Sequence, residues 1–165
     1  MFYQPRSKRF LTVSQVDMIR RTFLIIGADS VYAEEIFYRH LFRIKPELED
    51  LLDRDSSIRS KKLTNMLGLI VSQIHNLPEL LPMLGDLASR HIDYGVRAEH
   101  YHDVGRALIA MLRDILGSEF DSDAEAAWVK AYDGIAVSMI GITFGDAGAV
   151  QYQSASNICQ PVGKT

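Results

Sequence analysis

Asp86 to Val96 reads DLASRHIDYGV. A histidine, His91, closes an apolar stripe formed by Leu80, Leu84 and Leu87, at positions i, i+4, i+7 and i+11 of a predicted helix. Gly95 follows and ends that helix. His91 therefore stands where an inward residue belongs. Two readings are open: a core histidine satisfied by a local partner, or an imidazole that reaches for something other than protein.

The neighbours set up a slot. Leu84 and Leu87 supply one apolar wall, and Val96, Tyr101 and Val104 supply another after the glycine turn. Neutral imidazole is a common ligand for zinc and iron. Zinc needs three or four protein ligands. No second histidine or cysteine lies at i+3 or i+4 from His91, and no HxxH or CxxC occurs. His100 and His102 bracket Tyr101 and point away from its face. A cofactor with a single protein ligand fits better, and haem is such a group.

Outward from this stretch the chain reads as helices joined by short breaks. Thr12 and Gln15 make a capping box before Val16, Ile19, Phe23 and Ile26, with a stop at Gly27. Asp29 or Ser30 starts a second helix with Ala33, Phe37, Leu41 and Ile44 inward, and Pro46 ends it. After the polar corner DRDSS, a helix from about residue 58 carries Leu63, Met66, Leu67, Ile70 and Ile74. Asn76 caps the helix of His91, with Pro78 in its first turn. A helix from about residue 98 turns Tyr101, Val104, Leu108 and Ile115 inward. The last, from about residue 123, uses Trp128, Ala131, Ile135 and Met139. Strand-like alternation and internal repeats are missing. The expectation is an all-α single domain of six to eight helices, 11–144, between an N-terminal extension 1–10 and a C-terminal tail 145–165.

Composition agrees. The 165 residues are 47% hydrophobic and 24% charged, as in a globular domain with a sizeable core. The net charge of −3 gives no reason to expect nucleic acid or an anionic membrane as partner. The sequence suggests no signal peptide and no transmembrane span. The one cysteine, Cys159, makes no internal disulfide, and a cytoplasmic location is expected.

Three segments, NLPELLP, SRHIDYGVRAEHYHDVG and AWVKAYDGIA, resemble the globin family, most closely the single-domain bacterial haemoglobins and the globin part of flavohaemoglobins. The resemblance covers about residues 11 to 142. It implies the three-on-three globin fold, haem b as cofactor and His91 as the proximal iron ligand. Leu87 and Val96 would touch the porphyrin, with Tyr101 and Val104 on the proximal side. Counting back from Pro46 puts Tyr38 at the distal position that donates a hydrogen bond to iron-bound dioxygen. Arg59 falls where the family has glutamine or histidine, with Leu63 one turn later over the iron.

Two positions depart from the pattern. Leu52 stands where the family stacks a phenylalanine on haem. Thr143 stands where a glutamate joins the proximal histidine and tyrosine, which makes His91 a weaker electron donor. The implied function is reversible binding of dioxygen, nitric oxide or carbon monoxide. The alternatives are a nitric oxide dioxygenase or peroxidase-like enzyme served by a separate reductase, since no GxGxxG is present, and a gas-sensing or regulatory module. Many globins pair through their last two helices, so a homodimer is the assembly to look for.

Overall fold

The computed structural model describes residues 10–52, 62–155 and 158–159. Seven α-helices appear among them, with no strand: α1 Val13–Gly27, α2 Ser30–Ile44, α3 Glu47–Leu52, α4 Lys62–Gln73, α5 Leu77–Asp93, α6 His100–Leu116 and α7 Ser122–Ala155. The all-α class is as expected. The most extensive packings are α2 against α6 and α5 against α7, followed by α1 against α7.

Local chemistry sets the helix starts. The Thr12 hydroxyl accepts the Gln15 N–H, and the Gln15 side chain accepts the Thr12 N–H, a complete capping box. Asp29 caps α2 by accepting the Tyr32 N–H. Asn76 holds the N-cap position of α5 but its side chain makes no capping bond. Pro78 relieves that start, because it brings one fewer orphan N–H. A third cap comes from tertiary structure. Glu34, buried on α2, accepts both the backbone N–H and the hydroxyl of Thr64 in the first turn of α4.

The core is continuous. Ile19, Ile26, Leu41, Leu80, Leu84, Ile109, Met111, Leu112 and Ile140 are all buried. Trp128 crosses it, and its indole N–H donates to the Thr22 hydroxyl at 2.9 Å. That hydroxyl in turn donates to the Met18 carbonyl at 2.8 Å, so no polar atom of the pair is left bare.

Of the residues beyond Phe144, expected as a tail, the structure describes 145–155 and 158–159, among which Ala149, Tyr152 and Ile158 are buried. At Gly145 the backbone takes φ +80 and breaks the helical path of α7. Glycine suits this left-handed φ because it has no Cβ to clash. Beyond the break the chain returns along α7. Tyr152 donates to the Asp133 carboxylate, 19 residues earlier, and Ile158 is 1% exposed. Gly105 of α6 makes room for the return: a Cβ there would lie 2.6 Å from the Tyr132 ring and 2.7 Å from Ile158. By length and composition α7 could cross a membrane, but its Ala127, Trp128, Ala131, Met139 and Ile140 face the core of this fold.

Candidate functional site: an apolar cavity around His91

The stretch DLASRHIDYGV closes α5 with a Schellman motif. Val96 N–H bonds back to the His91 carbonyl at 2.9 Å, and Gly95 N–H to the Ile92 carbonyl at 2.8 Å, with Gly95 at φ +84. The motif reverses the chain so that Val96 comes to the same cavity as His91.

That cavity has a volume of about 100 Å³ and opens toward solvent. Its wall is almost wholly apolar. α2 gives Phe37, and α4 gives Leu63, Met66, Leu67, Ile70 and Val71. Leu87, Val96, Tyr101, Val104 and Leu108 come from the His91 side, and α7 closes it with Trp128, Tyr132, Ile135 and Met139.

His91 is the one histidine of this wall. Its Nδ1 donates to the Leu87 carbonyl at 2.7 Å. A carbonyl only accepts, so Nδ1 carries the proton and Nε2 keeps its lone pair. Burial pushes the imidazole below the usual histidine range, partly offset by the Leu87 carbonyl. At neutral pH His91 is therefore neutral, the form that ligates metals. Tyr101 stacks beside it, with ring centroids 6.1 Å apart and planes at 24°, and burial pushes its phenol up to about 12. No group of three or more His, Cys, Asp or Glu side chains suited to a metal ion occurs among the described residues.

The residues singled out in the sequence divide as follows. His91, Leu63, Leu87, Val96, Tyr101 and Val104 line one cavity. Tyr38 does not; the wall residue from α2 is Phe37. The buried stripe of α2 runs through Ala33, Phe37 and Leu41, and Tyr38 is rotated one residue away. Its ring stacks on Phe42 at 5.6 Å and meets Phe37 edge-on. Arg59 and the side chain of Leu52 lie outside the described residues. Thr143 turns its hydroxyl back to the Met139 carbonyl of its own helix. Ile19, Trp128 and Tyr132 were not expected in the wall. Their only advance signal was membership of apolar helical faces.

A family model described as Globin matches residues 37–139. The chain belongs to the globin family. Similar globin-containing proteins include the flavohemoprotein of Chromobacterium violaceum, 29% identical over 136 residues, which are 79% of this chain and 34% of that protein. The flavohemoprotein of Deinococcus radiodurans is 30% identical over 146 residues, 86% of this chain and 36% of that one. This globin thus spans about a third of the length of these relatives. A bacterial globin from Campylobacter jejuni superposes with a TM-score of 0.67 at 23% identity, covering 87% of this chain and 99% of the other, a likeness of fold.

A second buried histidine has a pH consequence for this globin. His100 is 3% exposed, and its Nδ1 accepts the Arg97 N–H at 3.0 Å. Burial lowers its pKa, reinforced by the Arg97 and Lys45 cations and opposed by Glu99 and Asp103. The unfolded chain takes up a proton near the ordinary value of 6.5 that folded His100 resists. Its share of stability is therefore full above that pH and declines as pH falls toward the lowered folded value. Urea midpoints of the haem-free protein are expected to drop from about pH 7 to 5, with a shallower fall in His100→Gln.

Proposed function

We propose that this globin holds haem b in the cavity with His91 Nε2 as its protein ligand, and that it reversibly binds a diatomic gas, dioxygen in the first place. The observation that carries this reading is the lone neutral imidazole, its Nδ1 engaged by Leu87, in an otherwise apolar cavity. The haem, when bound, supplies the iron site at which a gas molecule coordinates. The residues do the rest. Leu87, Val96 and Val104 pack against the macrocycle and exclude water, and the Leu87 carbonyl fixes the imidazole tautomer and orientation.

A dedicated peroxidase-like or nitric oxide dioxygenase role has less support. A carbonyl partner makes imidazole a weaker donor than a carboxylate partner does, and Thr143 offers no carboxylate. Such turnover would also call for a reductase as partner.

The gas-binding reading is tested by loading the protein with haemin, reducing it under nitrogen and admitting carbon monoxide, then dioxygen. Each gas is expected to shift the visible spectrum, and removal of dioxygen to restore the reduced spectrum. Immediate oxidation with no spectrum of a dioxygen complex would count against it. The distal side refines the reading. Phe37 and Leu63 stand in the wall, and on this reading apolar groups meet the gas on its far side. Tyr38→Phe is then expected to change the dioxygen release rate less than twofold, where losing a hydrogen bond of about 1–1.5 kcal/mol would speed it roughly tenfold. Stopped-flow release rates distinguish the two.

A further inference from the structure

A second pocket opens between Phe10, α7 and the segment that returns after Gly145. It is lined by Phe10, Asp133, Gly134, Val137, Tyr152 and Gln153, holds about 310 Å³ and is open to solvent. That volume is at the low end of small-molecule sites. Helical spacing brings part of the lining together: Asp133, Gly134 and Val137 share one face of α7 at i, i+1 and i+4. The returning segment adds Tyr152, which is 6% exposed and donates its hydroxyl to Asp133 Oδ1 at 2.9 Å. Phe10 lies directly on Gly134, where a Cβ would run into its ring. Three separate parts of the chain thus meet around one carboxylate.

The lining narrows what the pocket takes. Asp133 gives it a negative charge, which disfavours an anion. One carboxylate falls far short of the roughly six to eight oxygens that a calcium ion takes. No group of three or more metal-ligating side chains occurs among the described residues. A neutral apolar molecule would strip water from the carboxylate and return no hydrogen bond. A small organic cation meets every wall. Its N–H groups donate to the Asp133 carboxylate, which has acceptor sites enough to keep the Tyr152 hydroxyl as well. The Gln153 side-chain carbonyl takes a further N–H. Aromatic rings such as those of Phe10 and Tyr152 favour a cation beside them, and Phe10 and Val137 cover the hydrocarbon part.

We propose that this pocket binds a small primary alkylammonium ion, held at its charged end by Asp133 and Gln153 and along its chain by Phe10 and Val137. A primary ammonium brings the N–H donors that the carboxylate and the amide carbonyl accept; a quaternary ammonium brings none. The ligand bridges Phe10, α7 and the returning segment, so it binds only the folded chain and stabilises it by mass action. The site is separate from the cavity around His91. Asp133 follows Tyr132 in the chain, yet the two linings share no residue. The proposal therefore does not depend on haem.

The test is a titration of the 15N-labelled full chain with n-butylammonium chloride, followed by two-dimensional 1H–15N nuclear magnetic resonance at constant ionic strength. Haemin, a reductant and carbon monoxide are added first, so that any bound iron is diamagnetic. The amide signals of Phe10, Gly134, Val137 and Gln153 are expected to shift together and to saturate at about 1–10 mM, as suits so small a ligand. Butyrate, n-butanol and tetramethylammonium are expected to leave these signals in place over the same range. Asp133→Asn is expected to raise the n-butylammonium midpoint at least tenfold, while its amide oxygen still accepts the Tyr152 hydroxyl. The wild-type comparisons decide the matter even if that variant fails to fold. Unmoved pocket signals, equal shifts with n-butanol, butyrate or tetramethylammonium, or an unchanged midpoint in Asp133→Asn would each overturn the proposal. None of these results bears on the haem reading, which is tested by its own spectra.

Discussion

His91→Ala is expected to weaken haem binding by more than the roughly 10–100-fold that loss of an outer-shell partner costs at a metal site. The ligand itself is removed here, and nothing replaces it. No other histidine lines the cavity, and the tyrosines that do, Tyr101 and Tyr132, keep their protons because burial raises both phenols. What remains is apolar contact, which holds a flat macrocycle without fixing its iron. Added imidazole is expected to restore a Soret band close to that of the wild type, since the substitution leaves a gap of matching shape. The fold should survive: His91 ends a helix whose Schellman turn is made by backbone atoms of Gly95 and Val96. Haemin titration followed by absorbance, with circular dichroism alongside, checks both halves.

Trp128→Ala is expected to have the largest effect on stability, a loss of about 3–5 kcal/mol. Total stabilities of single domains are only about 5–15 kcal/mol, so this is a large fraction. The indole is 3% exposed, borders the cavity and reaches from α7 to α1. Its removal merges new empty space with the cavity, so neighbours have no partner to collapse onto. It also takes the Nε1 donor from the buried Thr22 hydroxyl, though that hydroxyl keeps its own bond to Met18. Thr22 thus loses one accepted bond rather than all its partners. Trp128→Phe isolates the hydrogen bond and is expected to cost about 1–2 kcal/mol. In thermal unfolding the alanine variant should melt roughly 6–20 °C lower in the haem-free protein. Bound haem should narrow the difference if the group shares the vacated space.

Different parts of this account were legible to different degrees. The helix of His91 was plain because an apolar stripe at helical spacing ran into a glycine, and the same stripe brought Leu87 and His91 to one cavity. The capping box at Thr12, the Asp29 cap and the prolines placed most helix starts within a few residues. Tyr38 shows the limit. Neighbouring helical residues differ by about 100°, and only tertiary packing settles which of Phe37 and Tyr38 faces inward. The inner stripe of Ala33, Phe37 and Leu41 was visible in the sequence, yet family register favoured the tyrosine beside it. The returning segment was hidden for another reason. It is short, rich in glycine, alanine and serine, and only Ala149 and Tyr152 of its helical part are buried, so it carries no periodic stripe. The bond from Trp128 to Thr22 joins residues 106 apart, a separation no local pattern encodes.

The central claim is that His91 Nε2 is the iron ligand. Resonance Raman spectroscopy of the reduced, haem-loaded protein tests it most directly. The account predicts an iron–imidazole stretching band in the wild type that moves on 15N-histidine labelling and vanishes in His91→Ala. It further predicts a frequency toward the weak-donor end of histidine-ligated haem proteins, because Nδ1 is bonded to a carbonyl. A labelled band that persists in His91→Ala, or a reduced haem complex with no such band in the wild type, would contradict the account.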